Sequence, residues 1–281
     1  MPTDPIPLRW AEVDLPDAWT DREPRGARGA WRLIRHALRR RRARVELPAG
    51  LPLSAEIPRY ALQEFHNIPN GNYSNRLTRG YATGFDVAML GRMRPARRRM
   101  ASALAGCRSV LDVGCGGGAS TAALAAHGIA EVWGLDPSPY LLRCAAARVP
   151  GAHFVQGIAE ATGFADGRFD GVACCFVFHE LPPRAADRAL AELARILRPG
   201  GRLAIVEPAA EQYQTGAWRL FVRHGPPGAW FRVLARAIHE PFAAEWHRRD
   251  ARAWLAANGF AVAQDRIDFP VRMLVGEKAP H

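Results

Sequence analysis

Residues 110–118 have the sequence VLDVGCGGG, and this stretch decides the fold class. An apolar run that contains one acid, Asp112, leads directly into a turn with glycines at 114 and 116. Glycine lets the backbone turn tightly and lets a ligand approach it closely. A helix that starts after such a turn offers unpaired N–H groups and a positive dipole end to a carboxylate or phosphate. The stretch therefore predicts a strand, a ligand-binding turn and a helix in succession.

Alternating strand-like and helix-like segments continue from this turn to the end of the chain. The predicted strands are residues 109–113, 131–135, 153–156, 169–178, 202–206, 261–266 and 271–276, and the predicted helices are residues 119–127, 139–148, 185–197 and 250–258. This alternation is typical of a parallel sheet with helices on both faces. We expect an α/β, Rossmann-like, doubly wound and mostly parallel sheet with an antiparallel C-terminal strand. Its ligands would bind at the carboxyl ends of the strands.

The N-terminal part has a different character. Residues 1–58 are rich in proline, arginine and tryptophan and are expected to form a helical extension, followed by one domain over residues 59–281. Residues 30–44 have helical spacing of Trp31, Ile34 and Leu38 and end in the run Arg39–Arg42. We favour packing of this apolar stripe on the main domain. The alternative is peripheral contact with a membrane surface or another anionic partner. A further helix is predicted over residues 85–104.

The overall composition restricts the classes of partner and compartment. The net charge is +11, but Lys278 is the single lysine among 38 basic residues. Such an arginine bias indicates a compositional bias of the source genome. The net charge is therefore weak evidence for a nucleic-acid partner. The five cysteines form no Cys-x-x-Cys pair, which predicts no metal site and a reduced, cytoplasmic protein. No apolar run reaches the length of a membrane span, and the N-terminus lacks a signal-peptide pattern.

A second acid lies at the end of the second predicted strand, in Trp133-Gly134-Leu135-Asp136. Asp136 follows Gly116 by 20 residues, the spacing at which an acid accepts hydrogen bonds from both hydroxyls of a ribose. It could also cap the next helix, and the two roles are compatible. Because Gly114-x-Gly116-x-x-Ala119 also matches the loosened dinucleotide fingerprint, a nicotinamide or flavin cofactor remains open on these two motifs alone.

Two later stretches make the pattern specific. VLDVGCGGG, GLDPSP, QGIAEATGFADGRFDGV and ILRPGGRLAIVEP occur in this order and spacing. Together they resemble the successive motifs of class I S-adenosylmethionine-dependent methyltransferases, close to the C-methyltransferase type of ubiquinone and menaquinone biosynthesis. The resemblance covers about residues 81–208.

The resemblance implies S-adenosylmethionine as the cofactor. The implied contacts are Asp112, Gly114, Cys115, Gly116, Asp136, Pro137, Ser138, Ile158, Ala159, Glu160, Cys175 and Tyr81. Asp112 would lie beneath the methionine end and Asp136 would take the ribose. The family commonly has an aspartate where Ile158 stands, and that aspartate accepts a hydrogen bond from the adenine amino group. Here a backbone carbonyl, Glu160 or apolar contact would replace it.

The sequence is less specific about the residues that would contact the methyl acceptor. His179 follows the fourth strand, where it could act as a general base, or it could cap a loop or contact the cofactor. The insertion at residues 211–249 is rich in aromatic residues and histidines, which indicates either a pocket lid or a packed helix pair.

We predict methyl transfer to a small, apolar or aromatic acceptor at carbon or oxygen. The alternatives are an NAD(P)-dependent oxidoreductase, a nucleic-acid-directed methyltransferase and a catalytically silent S-adenosylmethionine-binding protein. The sequence contains no indication of the oligomeric state.

Overall fold

The computed structural model describes residues 4–39 and 44–280, and the predicted sheet is confirmed. Its seven strands have the order β3-β2-β1-β4-β5-β7-β6. The strands β1 to β5 run parallel to one another, and β7 runs antiparallel between β5 and β6. The strands are β1 (Ser109–Val113), β2 (Glu131–Asp136), β3 (His153–Gln156), β4 (Phe169–Cys175), β5 (Leu197–Pro208), β6 (Phe260–Asp268) and β7 (Val271–Lys278).

The helices cover both faces of this sheet. In the described residues they are α1 (Ala27–Ala37), α2 (Asn75–Ala88), α3 (Met93–Ala103), α4 (Ala119–Ala126), α5 (Pro139–Arg148), α6 (Pro183–Ile196), α7 (Glu211–Gln214), α8 (Ala217–His224), α9 (Pro226–Ala237), α10 (Ala243–Arg248) and α11 (Ala251–Ala257). None of the helices in residues 4–39 and 44–280 is both long and apolar enough to cross a bilayer.

The central strand β1 is buried on both faces because its side chains alternate between two hydrophobic cores. Leu111 and Val113 pack with the α6 side of the sheet, whereas Val110 packs with Leu124 and the α3–α4 side. All five residues of β1 are buried. Burial on both faces explains the almost continuous apolar run that the sequence shows there.

Two predicted elements are interrupted by changes of backbone direction that the sequence pattern does not show. The prediction that β4 extends over residues 169–178 was wrong, since Phe176 has a φ of 63° and Phe178–Glu180 forms a 3-10 turn. The single helix predicted over residues 85–104 was also wrong. It divides into α2 and α3 where Leu90 and Gly91 both have positive φ angles. In both places an apolar periodicity continues through a backbone break.

The N-terminal segment packs on the sheet domain. Trp10 is fully buried and its indole N–H donates to the carbonyl of Phe154 at 3.0 Å. Asp21 accepts hydrogen bonds from the backbone N–H groups of Asn75 and Arg76, both at 2.8 Å, at the start of α2. These contacts join the segment to the edge strand β3 and to α2. The domain boundary at residue 58 stays a prediction.

The expected packing of the α1 stripe was wrong. Trp31, Ile34 and Leu38 are 63%, 51% and 76% exposed. The helix instead turns Gly29 and His36 toward the protein, and His36 lies 2.7 Å from Glu64. The helix ends at Ala37 rather than at residue 44, and residues 40–42 of the predicted arginine run lie outside the described residues.

The insertion at residues 211–249 forms α7 to α10. Phe231 and Trp246 are buried in the two main cores. Trp218 and Val222 of α8 face outward and are 74% and 68% exposed. The insertion is therefore partly core and partly surface.

Candidate active site

A cavity of about 1390 Å³ opens at the carboxyl ends of β1, β2 and β4. Pockets for single small ligands usually have volumes of about 300–1000 Å³, so this cavity has room for a cofactor and a second molecule. Its lining includes most of the predicted cofactor residues: Gly114, Cys115, Gly116, Asp136, Pro137, Ser138, Ile158, Ala159, Cys175 and Tyr81. Asp112 and Glu160 do not line it. The position at the strand ends is the one that the alternation of strands and helices predicted.

The glycine turn has the shape that the sequence indicated. Gly114 and Gly116 have φ angles of 64° and 52°, a region that favours glycine. A Cβ at Gly114 would approach Val177 Cγ2 to 2.7 Å, whereas a Cβ at Gly116 would meet nothing within 4 Å. Gly114 is therefore required by packing against the β4–α6 loop. Gly116 leaves the backbone open toward the cavity, where a cofactor can lie against it.

Asp136 is the acid at the cavity end of β2. Its two oxygens accept one backbone N–H each, from Gly116 and from Ser138, both at 2.9 Å. A carboxylate has about four lone-pair positions, so one remains on each oxygen. Burial raises the pKa of Asp136 to about 7, against the opposing effect of the two N–H donors. The Ser138 hydroxyl, rather than Asp136, accepts the N–H of Leu141 and caps α5.

Asp112 lies beneath the turn and does not reach the cavity surface. It is fully buried, and its Oδ2 accepts the hydroxyls of Ser120 and Thr121 at 2.7 and 2.6 Å. Its Oδ1 has no hydrogen-bond partner among the described residues. Burial raises the pKa of Asp112 to about 6, although the hydroxyls oppose this effect. The side chain therefore connects the end of β1 to the first turn of α4.

The predicted adenine end is apolar. Ile158 and Ala159 line the cavity there, together with Leu135 and Leu141. Both oxygens of Glu160 accept the hydroxyl of Tyr60 at 2.7 Å, so this carboxylate already has a protein partner.

Aromatic side chains line the other half of the cavity. Tyr81 and Phe85 are 5.7 Å apart between ring centroids, and Phe85 meets Phe176 edge to face at 5.8 Å. Phe176 lies at the end of the fourth strand, where the sequence predicted contact with the methyl-transfer region, whereas Phe85 and the buried Arg97 were not predicted; Arg97 also lines the cavity and pairs with Asp86 at 2.6 Å. Residues 93–103 contain several arginines, and only the packing of α3 shows which one turns inward.

His179 lies behind the cavity wall rather than on it. Its side chain is fully buried, and its Nδ1 is 2.6 Å from Glu207 Oε2. Burial by itself would lower the pKa of His179, but the carboxylates of Glu207 and Glu240 outweigh burial and raise it well above its usual value. Its neighbour Glu180 is the residue of this turn that reaches the cavity. The predicted general-base role stays a prediction, and this burial gives His179 no direct contact with an acceptor.

The insertion at residues 211–249 contributes no side chain to the cavity lining in the described chain. The aromatic residues of the insertion therefore do not form the pocket lid that was one of the two predicted roles.

The fold and the site define a Rossmann-like α/β protein that binds an adenosine-type cofactor, and comparison with known proteins narrows this class. The family model described as "Methyltransferase domain" matches residues 111–205. An uncharacterised methyltransferase of Synechocystis is 43% identical over 100 residues, which are 36% of this chain and 47% of that protein. The chain thus spans about half the length of this relative.

A demethylmenaquinone methyltransferase of Renibacterium salmoninarum is 31% identical over 174 residues, covering 60% of this chain and 70% of that protein. Among solved structures, an O-methyltransferase family protein from Burkholderia thailandensis has a TM-score of 0.52 at 18% identity, covering 70% of this chain and 59% of the other. This last likeness concerns the fold.

The chain belongs to the class I S-adenosylmethionine-dependent methyltransferases. The cofactor implied by the family is S-adenosylmethionine, and the nicotinamide alternative is not favoured. The open lone pairs of Asp136 and the open approach at Gly116 fit its ribose and methionyl parts.

Proposed function

We propose that the protein transfers a methyl group from S-adenosylmethionine to a small aromatic acceptor and releases S-adenosylhomocysteine. One observation carries this proposal: a single cavity joins the cofactor residues Gly116 and Asp136 to an aromatic wall made by Tyr81, Phe85 and Phe176. The relatives named demethylmenaquinone methyltransferase support an aromatic acceptor. They also favour carbon over oxygen as the acceptor atom.

The cofactor would lie across the ends of β1 and β2. Asp136 would accept both ribose hydroxyls with its remaining lone pairs. The methionyl part would follow Gly114 and Gly116 toward the N-terminus of α4, whose N–H groups suit its carboxylate. Asp112 would support the turn from beneath through Ser120 and Thr121, without touching the ammonium group.

The adenine would be held mainly by apolar contact. Ile158 and Ala159 offer hydrocarbon surface on one side of the predicted adenine position. Glu160 bonds to Tyr60 and does not line the cavity, so a backbone carbonyl would be the acceptor for the adenine amino group. Apolar contact and one such hydrogen bond would replace the family's usual aspartate.

Transfer itself needs alignment more than proton chemistry, because the sulfonium is already an activated methyl donor. The aromatic wall would hold a flat acceptor in line with the methyl group and exclude water from it. The thiol of Cys175 also lines the cavity, but burial raises its pKa to about 12. It would therefore stay neutral and would not compete for the methyl group.

The proposal is tested by incubating the full chain with S-adenosylmethionine and separate acceptor panels. One panel contains hydroxylated naphthalenes and quinols, and the other contains transfer RNA and duplex DNA. We expect S-adenosylhomocysteine and a methylated product, detected by mass spectrometry, with the first panel alone. Methylation confined to nucleic acid would contradict the acceptor class. A thermal shift with NADH but not with S-adenosylhomocysteine would contradict the cofactor.

We also propose that α1 binds an anionic membrane surface. The exposed stripe of Trp31, Ile34 and Leu38 lies beside exposed arginines, Arg35 on the helix and Arg39 just after its end. An apolar stripe flanked by cations suits the boundary between acyl chains and anionic headgroups. Nucleic acid would match the arginines but would leave the apolar stripe without a partner.

Flotation with vesicles tests this membrane contact. We expect the chain to float with vesicles that contain phosphatidylglycerol and to lose most of this binding after Trp31→Ser combined with Leu38→Ser. Trp218→Ser, which changes a tryptophan on α8 that is 74% exposed against 63% for Trp31, is the control. Equal flotation of the double variant, or flotation that needs no anionic lipid, would refute the role of α1.

A further inference from the structure

Four ionisable side chains from three separate segments converge behind the aromatic wall. His66 precedes α2, His179 and Glu180 belong to the turn after β4, and Glu240 lies between α9 and α10. His66 Nε2 is 3.2 Å from Glu180 Oε1 and 3.6 Å from Glu240 Oε1. His179 Nε2 is also 3.6 Å from Glu240 Oε1. The two imidazoles and Glu180 have potential ligand atoms that all lie within 4.8 Å of one another.

These separations are close to those between the ligands of a tetrahedral metal ion. With metal–ligand bonds of about 2.1 Å, two ligand atoms on a tetrahedron are about 3.4 Å apart. The three distances that involve His66, Glu180, Glu240 and His179 lie on either side of this value. Three of the six separations among these four groups thus lie in the range expected for ligands of one ion.

His179 is oriented in the way that a metal-bound histidine usually is. Its Nδ1 lies 2.6 Å from Glu207, which also accepts the backbone N–H groups of Val177 and Phe178. The opposite ring nitrogen, Nε2, is fully buried, lies toward Glu240 and has no hydrogen-bond partner among the described residues. A carboxylate on the outer nitrogen fixes the ring and its tautomer, so that the inner nitrogen is free to bind an ion.

We propose that His66, His179, Glu180 and Glu240 form a binding site for one divalent transition-metal ion, with Glu207 supporting His179. Two imidazole nitrogens and two carboxylate oxygens in a tetrahedral arrangement suit zinc best. With both imidazoles neutral, the double positive charge of the ion would offset the negative charges of Glu180, Glu207 and Glu240, which are buried or partly buried. No cysteine takes part, which is why the search for Cys-x-x-Cys pairs predicted no metal.

Such an ion would fix the acceptor side of the cavity. His66 stacks on Tyr81 with ring centroids 5.3 Å apart, and Glu180 reaches the cavity surface itself. The ion would join the segment before α2 to the β4–α6 turn and to the insertion. This inference goes beyond the proposed methyl transfer and does not depend on it, because metal binding can be measured without cofactor or acceptor.

The competing explanation is that protons, rather than a metal, hold the cluster together. Two imidazolium ions could pair with the same carboxylates, and the Tyr213 hydroxyl already donates to Glu240 at 2.5 Å. A metal-binding experiment distinguishes the two because a cluster bridged by protons retains no stoichiometric ion.

The experiment uses the full chain with any affinity tag removed. The protein is treated with a chelator, dialysed, loaded with Zn²⁺ or Co²⁺ and passed through a gel-filtration column. We expect about one equivalent of ion to be retained, together with a higher melting temperature. Bound Co²⁺ should show the intense visible absorption of tetrahedral coordination, without a thiolate charge-transfer band.

Variants assign the ion to this cluster. His179→Gln and Glu240→Gln should each abolish stoichiometric retention, and the exposed His153→Gln is the matched control that should retain it. Glu180→Gln, at a side chain that is 29% exposed, serves if the buried variants fail to fold by circular dichroism. The proposal is overturned if the wild type retains no ion, if Glu180→Gln and His179→Gln retain it fully, or if the cobalt spectrum shows thiolate ligands.

Discussion

Replacement of Asp136 by asparagine tests the cofactor site most directly. Each oxygen of Asp136 accepts one backbone N–H, from Gly116 or Ser138, and retains one lone pair. An asparagine has one acceptor oxygen, so after one of these bonds is kept at most one lone pair remains. One ribose hydroxyl would then lose its acceptor, and the other would keep only a neutral acceptor in place of a charged one.

The expected magnitude follows from these hydrogen bonds. A hydrogen bond to a charged group contributes about 1.5–3 kcal/mol, so the loss should total about 2–3 kcal/mol. Since about 1.4 kcal/mol corresponds to a tenfold change, S-adenosylhomocysteine should bind roughly 30- to 150-fold more weakly. At a ligand concentration of about 100 times the wild-type Kd, ligand stabilisation should fall from about 2.7 to about 0.3–0.9 kcal/mol. The thermal shift should fall from about 5–11 °C to about 1–4 °C.

The assay is a thermal-shift titration at pH 8, where Asp136, whose pKa is about 7, is mostly ionised. Asp166→Asn is the control, because this carboxylate is 83% exposed and pairs with Arg195 away from the cavity. The control should keep the full ligand-induced shift. If Asp136→Asn also keeps it while its fold is intact, the ribose assignment is refuted.

Further predictions concern pH, the turn and the N-terminal segment. Because ribose binding needs ionised Asp136, affinity for S-adenosylhomocysteine should fall by up to about tenfold per pH unit below a pKa of about 7 and stay level above it, measured by calorimetry. Because burial raises the pKa of Asp136 from 3.8 to about 7, the ligand-free protein should also become less stable as pH rises between these two values. Gly114→Ala should weaken cofactor binding and cost roughly 1–3 kcal/mol in urea unfolding, since its Cβ would meet Val177 at 2.7 Å. Trp10→Ala should cost about 3–5 kcal/mol because a buried ring that donates to Phe154 is lost.

Each of these predictions has a control within the chain. The pH dependence should disappear in Asp136→Asn, and its persistence there would assign the titration to another group. Gly128→Ala has a similar positive φ of 84° but open space around its Cβ, so it should leave cofactor binding unchanged. Trp218→Ala removes an exposed ring and should change stability by less than about 0.5 kcal/mol. Equal losses in Trp10→Ala and Trp218→Ala would contradict docking of the N-terminal segment.

The cofactor half of the site could be predicted from the sequence because its information is local. Gly114, Gly116 and Asp136 lie directly at strand ends, and strand ends of a parallel sheet meet at one edge. The strands β1 to β3 were predicted to within one residue for the same reason, since each is a short apolar run bounded by a turn. Ile158 and Ala159 also lie where the motif order suggested.

The aromatic half of the cavity, by contrast, could be recognised only in the tertiary structure. Phe85 and Arg97 come from helices whose inward faces the periodicity does not identify, because the chain breaks at Leu90 and Gly91. The exposed stripe on α1 was misjudged because amphipathic spacing shows which residues share a face but not whether that face is covered.

The strands of the sheet, the glycine turn and the two acids follow from the sequence, since each depends on residues close together in the chain. Which side chains from distant segments meet depends on the tertiary structure. His66, His179 and Glu240 are separated by many residues and share no motif, yet each imidazole Nε2 lies 3.6 Å from Glu240 Oε1. Such contacts arise from the packing of whole segments against the sheet, and no local pattern records them.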